Sequence, residues 1–235
     1  MNLLFISTWG AKCGIATYCA SLAHALKSLG HNISVLSEAT DIYSLNSTQT
    51  DRDIPNYPCW SRRGSLETIY RMIKSSPVKP EVCHFQHELG LFPNTEEFTT
   101  LVKKLGELGI KQFATYHTVS PEYSFSRVEA RAIVHSHEAA LVMSSLGCPS
   151  DVIYHGVTSQ ESDTLNAGDS LKLTARGQEY LIALIPGFVV ANKRTLEIAL
   201  AILRETRHWV IITGEPRDEM YSNLLISKLN ASGLA

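Results

Sequence analysis

The chain has 235 residues, of which 44% are hydrophobic, with a formal net charge of -2 at pH 7 and a pI near 6.5. This balance gives no reason to expect nucleic acid or an anionic membrane as the main partner. Five cysteines without a C-x-x-C pair indicate reduced side chains rather than a disulfide framework. The apolar run Leu3 to Ile6 is too short for a signal peptide, and no segment reaches the ~18 apolar residues of a membrane span, so we expect a cytoplasmic protein.

The first forty residues contain a strand, a helix and a second strand. Residues 2–7 are an apolar run bounded by turn formers, residues 14–29 carry apolar side chains at helical spacing, and residues 32–37, "NISVLS", are predicted to form a second strand. This order is typical of the βαβ unit of a parallel sheet.

Strands and helices continue to alternate up to residue 154, whereas residues 40–58 are polar and are predicted to contain no strand. Six predicted strands with crossovers favour a Rossmann-like, doubly wound parallel sheet of the α/β class. The further strands are predicted at residues 81–88, 111–119, 132–136 and 151–154, and the helices at residues 65–75, 96–108 and 137–146.

A polar stretch at residues 158–179 predicts a linker between a first domain, residues 1–157, and a second, residues 180–235. The second domain has too few elements for a large core, so we expect an incomplete Rossmann-like domain, or docking onto the first domain or a partner chain. Its predicted elements are a strand at 180–186, a helix at 193–206, a strand at 208–213 and a helix at 218–229.

The segment "STWGAKCGIATY", residues 7–18, is a candidate anion-binding loop. It lies between a parallel strand and a helix, where free N–H groups and the helix dipole attract negative charge. Its glycines, Gly10 and Gly14, do not make the three-glycine dinucleotide fingerprint. From the spacing alone, an ordinary βα turn is an equally good interpretation.

Two polar residues lie where later strands end at the same predicted edge of the sheet. His117 follows "ATY" and Glu88 follows "CHFQH". Each is a candidate site residue, and a structural role for His117 is the competing interpretation.

The histidines of the first domain do not predict a metal site. His84 and His87 lie three apart in one strand, so their side chains point to opposite faces. His135 and His137 have no acidic partner at ligand spacing, and the D-x-D at residues 51–53 is read as a solvated loop.

In the second domain, Lys193 and Arg194 follow the segment that contains Gly187 and are predicted to open a helix. A cation beside a helix N-terminus suits a diphosphate. The next strand ends at Gly214 and Glu215, a second loop on the same edge.

These segments resemble, in order, those of retaining, family-4-type glycosyltransferases of the GT-B fold. The resemblance rests on "KCGIATYCASLAHALKSLGHNISVLS", "VCHFQHELGLF", "TYHTV", "VIYHGV", "IPGFVVANKRTLEIALAIL" and "WVIITGEP". It implies a two-domain enzyme that transfers a sugar from a nucleotide diphosphate sugar to a carbohydrate or other hydroxyl acceptor, with retention of configuration and without a metal or cofactor.

The resemblance also implies roles for individual residues. The loop with Gly14 and Ile15 would lie beside the donor diphosphate and the acceptor, across a cleft from the second domain. His117 would form a hydrogen bond with the transferred sugar, and Lys193 would neutralise the leaving diphosphate. Glu88 would be an acceptor-side residue. The remaining substrate-binding candidates are Gly187, Arg194, Gly214 and Glu215.

The sequence departs from the family in two places. Phe188 stands where the family has an arginine soon after its glycine, and no counterpart of the later Glu-x7-Glu element precedes Ala235. We therefore expect a truncated second domain with weak donor binding. Whether the chain is active stays open at this point, and a homo-oligomer is the alternative to a missing C-terminal half.

Two other functions stay open at this point. The first is an NAD-dependent oxidoreductase, with Glu38 at the end of the second strand as its ribose-binding acid. The second is a non-catalytic binding module that has kept the fold.

Overall fold

A computed structural model describes residues 1–39, 53–121, 129–156, 172–175, 178–187, 189–205, 209–214, 216 and 218–232. The chain divides into two compact units, Met1–Ser159 and Gln160–Ala235. In the described part of the chain, no helix has the length and apolarity that crossing a lipid bilayer requires.

Strands and helices alternate through the first unit. The strands are β1 (Asn2–Ser7), β2 (Asn32–Glu38), β3 (Asn56–Trp60), β4 (Val82–His87), β5 (Lys111–Tyr116), β6 (Arg131–Val134) and β7 (Ser150–Val152). The helices are α1 (Gly14–Ser28), α2 (Glu67–Ser75), α3 (Thr95–Glu107) and α4 (His137–Ser145).

All seven strands pair in parallel, in the order β3-β2-β1-β4-β5-β6-β7. The predicted Rossmann-like, doubly wound parallel sheet is thus confirmed. Because every strand runs in the same direction, all the loops that follow the strands emerge at one edge of the sheet. We call this the carboxyl edge.

Two apolar clusters cover the two faces of the sheet. Along β1, Leu4 and Ile6 belong to a cluster with residues of α2, α3 and α4, whereas Leu3 and Phe5 belong to a second cluster with residues of α1. This alternation follows from the two-residue period of a strand. Burying a side chain such as Phe5, which is 0% exposed, contributes about 1.5–3 kcal/mol.

Side chains at the starts of the helices fix where three of them begin. The Cys13 sulfur accepts a hydrogen bond from the N–H of Ala16 in α1. Asn94 accepts from the N–H of Glu97 in α3, and Ser136 caps α4 in the same way. These groups satisfy N–H donors that the first turn of a helix leaves unpaired.

The edge strand β3 contradicts the prediction that residues 40–58 contain no strand. This strand is short and half exposed, and it contains Pro58, so it shows none of the apolar alternation from which a strand is predicted. Trp60 at its end is buried, stacks on Phe92 at 5.1 Å, and donates its indole N–H to the Leu36 carbonyl at 3.1 Å. Residues 51 and 52 of the D-x-D lie outside the described residues.

The second unit has a small three-stranded sheet. Its elements are β8 (Lys172–Ala175), β9 (Gln178–Pro186), a 3-10 helix (Ala191–Lys193), α5 (Thr195–Glu205), β10 (Trp209–Thr213) and α6 (Glu219–Ala231). Strand β9 pairs in parallel with β10 and antiparallel with β8, which lies inside the stretch predicted as a linker. The core contains Val189, Tyr221 and Leu225, while Leu184 and Ile211, which pair across β9 and β10, remain exposed.

His84, a half-buried histidine of β4, predicts a loss of stability in mild acid. The His84 ring stacks on Phe5 at 5.1 Å, its Nε2 lies 2.8 Å from Thr115 Oγ1, and burial lowers its pKa to about 4. The unfolded chain binds this proton with a pKa of about 6.5, so the contribution is complete above that pH and is lost as the pH falls towards 4.

We expect His84→Gln to reduce the pH dependence of the free energy of unfolding by about 1.4 kcal/mol per pH unit within this window. Urea unfolding at several pH values measures it, with the exposed His24→Gln as the matched control. Identical slopes for His84→Gln and the wild type would contradict the assignment.

Candidate functional site

The strand order places a crevice at the carboxyl edge between β1 and β4. From β1 the sheet grows outward through β2 and β3 on one side, and through β4 to β7 on the other. The loops that follow β1 and β4 therefore turn away from each other, and ligands of such sheets bind in the crevice between them. Gly14 and Ile15 follow β1, and Glu88 follows β4.

Two backbone donors are left over where α1 begins. The N–H of Ala16 is bound by the Cys13 sulfur at 3.5 Å, and that of Thr17 by the Cys13 carbonyl at 3.2 Å. Among the described residues, no acceptor pairs with the N–H groups of Gly14 and Ile15. These two donors at the positive end of a 15-residue helix suit an anion.

Neither packing nor backbone conformation within the first unit requires a glycine at position 14. A Cβ built on it has nothing within 4 Å, and its φ lies outside the left-handed region. The next side chain, Ile15, packs against the apolar cluster that contains Leu4 and Ile6 and so anchors the first turn of α1. The open space at Gly14 leaves its backbone accessible.

His117 lies directly after β5 and is half-buried. Its Nε2 is 2.9 Å from Oε1 of the fully buried Gln86, which is assigned as the acceptor of the ring N–H. Burial, with the neighbouring rings of His135 and His155, lowers the pKa of His117 to about 4. The imidazole is therefore neutral at pH 7, with a second ring nitrogen that carries a lone pair.

Three histidine rings surround Tyr18 of α1. Its ring centroid lies 5.1 Å from that of His117 and 5.2 Å from those of His135 and His155, each in an edge-to-face arrangement. Sequence reasoning missed His155 and Tyr18 and dismissed His135. The only available signal was that each histidine follows a predicted strand.

Two buried polar atoms near these rings lack partners. The Nε2 atoms of Gln86 and His135 make no hydrogen bond within the described part of the chain. Leaving such an atom unpaired costs about 1–3 kcal/mol, so unpaired buried groups are concentrated where a ligand, ion or water completes them. The carboxyl edge near β4, β5 and β6 has this character.

Glu88 stabilises the turn after β4. Its carboxylate accepts the N–H of Gly90 at 2.5 Å, and its carbonyl accepts those of Leu91 and Phe92, both at 2.9 Å. The turn thereby seats the Phe92 ring in the core, where it is 0% exposed. An acceptor-binding role for Glu88 stays a prediction.

Glu38, the candidate ribose-binding acid of an oxidoreductase, is already paired. It is buried, and Nε and Nη2 of Arg62 each donate to one of its carboxylate oxygens at 2.6 Å. This bidentate pair leaves Glu38 committed to β2 and the loop after β3.

In the second unit, the two predicted glycines meet each other. Gly187 has φ 118° and Gly214 has φ 152°, and the Gly187 N–H donates to the Thr213 carbonyl at 2.9 Å. A Cβ on Gly214 would collide with the carbonyl oxygen of Gly187. Gly214 is thus required by the close approach of the loops after β9 and β10, whereas Gly187 is favoured by its positive φ. Glu215 and Phe188 lie outside the described residues.

The sequence predicts that Lys193 and Arg194 open a helix, but in the structure both residues precede it. Lys193 ends the 3-10 helix, Arg194 adopts the left-handed conformation with φ 51°, and α5 begins at Thr195. The N–H of Leu196 is bound by the Tyr221 hydroxyl at 2.9 Å, which removes one of the donors expected for a diphosphate. Both cations are exposed, and neither forms an ion pair with any residue the structure describes.

A cavity of about 480 Å³ lies at the opposite edge, near the starts of β1, β2 and β3. Its lining includes Asn2, Asn32, Tyr57 and Val78, and no charged side chain of the described residues contributes to it. It therefore offers nothing to neutralise a diphosphate.

Comparison with known proteins establishes the fold. No protein-family model matches the chain, and no curated protein matches its sequence. Among solved structures, the chain is similar to Anabaena Alr3699/HepE in complex with UDP and glucose, at 14% identity and a TM-score of 0.61, over 100% of this chain and 67% of that one.

Two further structures have the same fold. MurG of Acinetobacter baumannii is 14% identical, with a TM-score of 0.51, over 97% of this chain and 64% of that one. An alpha-glucosyltransferase (AGT) in complex with UDP is 10% identical, with a TM-score of 0.53, over 99% and 61%. The chain thus spans between 61% and 67% of the length of these three proteins and has the fold of GT-B glycosyltransferases that its sequence resembles.

Proposed function

We propose that this chain binds a nucleotide diphosphate sugar and provides part or all of a glycosyltransferase that moves the sugar to a hydroxyl acceptor with retention of configuration. The observation that carries the proposal is the crevice between β1 and β4. The unpaired N–H groups of Gly14 and Ile15 lie on its one side, and on the other lie the polar residues at the ends of β4 and β5, including His117. Two proteins of the same fold, described as complexes with UDP, support it.

The start of α1 has the chemistry that a diphosphate or an acceptor oxygen requires. Its two free N–H groups point along a helix dipole whose positive end is equivalent to about half a charge. Gly14 lets a ligand approach the backbone closely because no Cβ stands in the way.

His117 is suited to a neutral sugar rather than to a phosphate. Its imidazole is uncharged at pH 7, and its orientation is fixed by Gln86. A neutral ring in a partly dry site can exchange hydrogen bonds with a sugar hydroxyl without an ion pair to break.

Lys193 is the candidate for the charge that develops on the leaving diphosphate. It is exposed, and none of the carboxylates in the described part of the chain pairs with it. A lysine placed at that charge performs the electrostatic stabilisation that a divalent ion supplies in other phosphate chemistry, so no metal enters this mechanism. Arg194, Gly187, Gly214 and Glu215 remain donor-side candidates, and Glu88 an acceptor-side candidate.

The other two functions gain no support from the geometry. The Glu38 carboxylate of the oxidoreductase hypothesis is buried and bound by Arg62. A non-catalytic module would not need an open Gly14 loop and a neutral His117 at one edge. The two unpaired N–H groups suit any diphosphate, including that of NAD, so they do not distinguish the hypotheses.

The binding experiment uses this chain with UDP-, GDP-, ADP- and dTDP-sugars, followed by calorimetry and thermal shift, with NADH as a parallel titrant. At least one nucleotide sugar is expected to bind saturably. Gly14→Ala should weaken this binding at least tenfold, because its methyl group occupies the approach to the free N–H groups, while folding stability stays within about 1 kcal/mol of the wild type.

The matched control is Gly106→Ala, another glycine-to-alanine change in a helix of the same unit, which should leave the affinity unchanged. Binding of NADH without a response to any nucleotide sugar would overturn the proposed function. Equal affinities of wild type and Gly14→Ala would remove Gly14 from the site.

Lys193→Ala is expected to lower sugar transfer or donor hydrolysis at least tenfold, because the leaving diphosphate loses its counter-charge. Release of the nucleoside diphosphate is measured, and the anomeric configuration of the product is read by NMR. Lys228→Ala, at an exposed lysine of α6, is the control that should retain activity. Full activity of Lys193→Ala would exclude this role, and an inverted product would exclude retention.

A further inference from the structure

We propose that His117, His135 and His155 form a binding site for Zn²⁺ or a similar transition-metal ion, and that the bound ion blocks the sugar side of the site. One ligand nitrogen from each of the three rings lies within 4.8 Å of the other two. The sequence did not predict this site, because His155 stands alone and no two of these histidines have a metal-ligand spacing.

The topology explains why three distant histidines meet. His117 follows β5, His135 follows β6 and His155 comes shortly after β7. These strands are neighbours in the sheet, and their carboxyl ends lie side by side. Adjacent strands are about 4.8 Å apart, so side chains at their ends are near enough to reach one ion between them.

His135 has the hydrogen bonding of a metal ligand. Its Nδ1 lies 2.8 Å from the Ile153 carbonyl, so this nitrogen holds the proton and Nε2 carries the lone pair. That Nε2 is buried without a partner among the described residues. Histidines that bind metals typically donate their other N–H to a carbonyl or carboxylate in this way.

His117 is arranged similarly. Its Nε2 lies 2.9 Å from the Gln86 amide oxygen, which fixes the ring and leaves the second ring nitrogen as an acceptor. Tyr18 packs edge-to-face against all three rings.

The donor set selects the class of ion. Three imidazoles without a carboxylate favour Zn²⁺, Cu²⁺ or Ni²⁺ over Mg²⁺ and Ca²⁺, which prefer oxygen. Two nitrogens on one tetrahedral zinc are about 3.3 Å apart, so the site must contract on binding. His155 is exposed, and in the structure its ring stacks on that of His135 at 3.7 Å. On metal binding, the His155 ring would rotate out of this stack and bring one of its nitrogens to the ion. A water molecule completes the tetrahedron.

An ion bound here takes the His117 nitrogen that a sugar hydroxyl would otherwise use. Zinc and the donor sugar should therefore exclude each other. This consequence rests on the proposed role of His117, whereas the metal site itself does not.

The test titrates metal-free protein with Co²⁺, whose visible absorption reports tetrahedral coordination, and then displaces it with Zn²⁺. One ion per chain is expected, with affinity at least tenfold lower in His155→Ala and in His135→Ala. His137→Ala, at an exposed histidine two residues from His135, is the matched control and should bind as the wild type does. Circular dichroism checks folding, and the exposed His155 gives a variant that should fold even if His135→Ala does not.

Absence of the Co²⁺ band at millimolar metal would overturn the site, and so would equal affinities of His155→Ala and His137→Ala. If zinc and the donor sugar exclude each other, zinc should weaken nucleotide-sugar binding in the wild type but not in His155→Ala. Unchanged sugar binding in the presence of bound zinc would overturn the exclusion. The cobalt titration is independent of any nucleotide sugar, so a failure of the proposed function is told apart from a failure of the metal site.

Discussion

The hydrogen-bonded pairing of β1 with β4 determines where a ligand can bind in the first unit. Leu3 to Ile6 lie beside Val82 to Phe85 in parallel register, although the two segments are almost eighty residues apart. Because of this contact, β2 and β3 are added on one side of β1 and β5 to β7 on the far side of β4, and a crevice forms between the two halves at the carboxyl edge. The free N–H groups of α1 and the ring of His117 would not share an edge without it.

The parallel direction of the strands also brings similar side chains together. His117, His135 and His155 end three neighbouring strands, so their rings crowd into one site. Three imidazolium ions at such distances would repel one another by several kcal/mol in a medium of effective dielectric constant near about 20. Burial and the neighbouring rings lower the pKa of His117 to about 4, which leaves its ring neutral, with one nitrogen that donates and one that accepts.

Two glycines of the chain lack a side chain for different reasons, Gly214 for packing and Gly14 for the ligand that we propose. Gly214 must lack a side chain because the carbonyl of Gly187 occupies that space. Gly14 has no such neighbour, so its lack of a side chain is explained by a ligand rather than by packing. A sequence cannot make this distinction, because both glycines lie after a strand, at or before the start of the helix that follows it.

The sequence predicted the main sheet because the core strands carry strong apolar signals, as in "LLFI" and "VCHFQH". Strand β3 was missed because an edge strand with a proline has no clear alternation, and β8 because it lies in a polar stretch predicted as a linker. Gly14 and His117 could be selected as candidate site residues because each follows a predicted strand. The structure confirms these positions, whereas the roles of the two residues stay predictions. His155 and Tyr18 could not be selected in this way, because only the packing of β7 and α1 brings them to His117.

The proposed function depends most on His117 as the contact for the transferred sugar at the carboxyl edge. The direct measurement is the NMR spectrum of the histidine rings, assigned by single substitutions, during titration with a nucleotide sugar and with the matching free nucleoside diphosphate. The His117 signals are expected to move with the nucleotide sugar more than with the diphosphate alone, while those of His84, which lies within β4, do not move. Saturable binding that leaves the His117 signals unchanged would contradict the proposed role of His117.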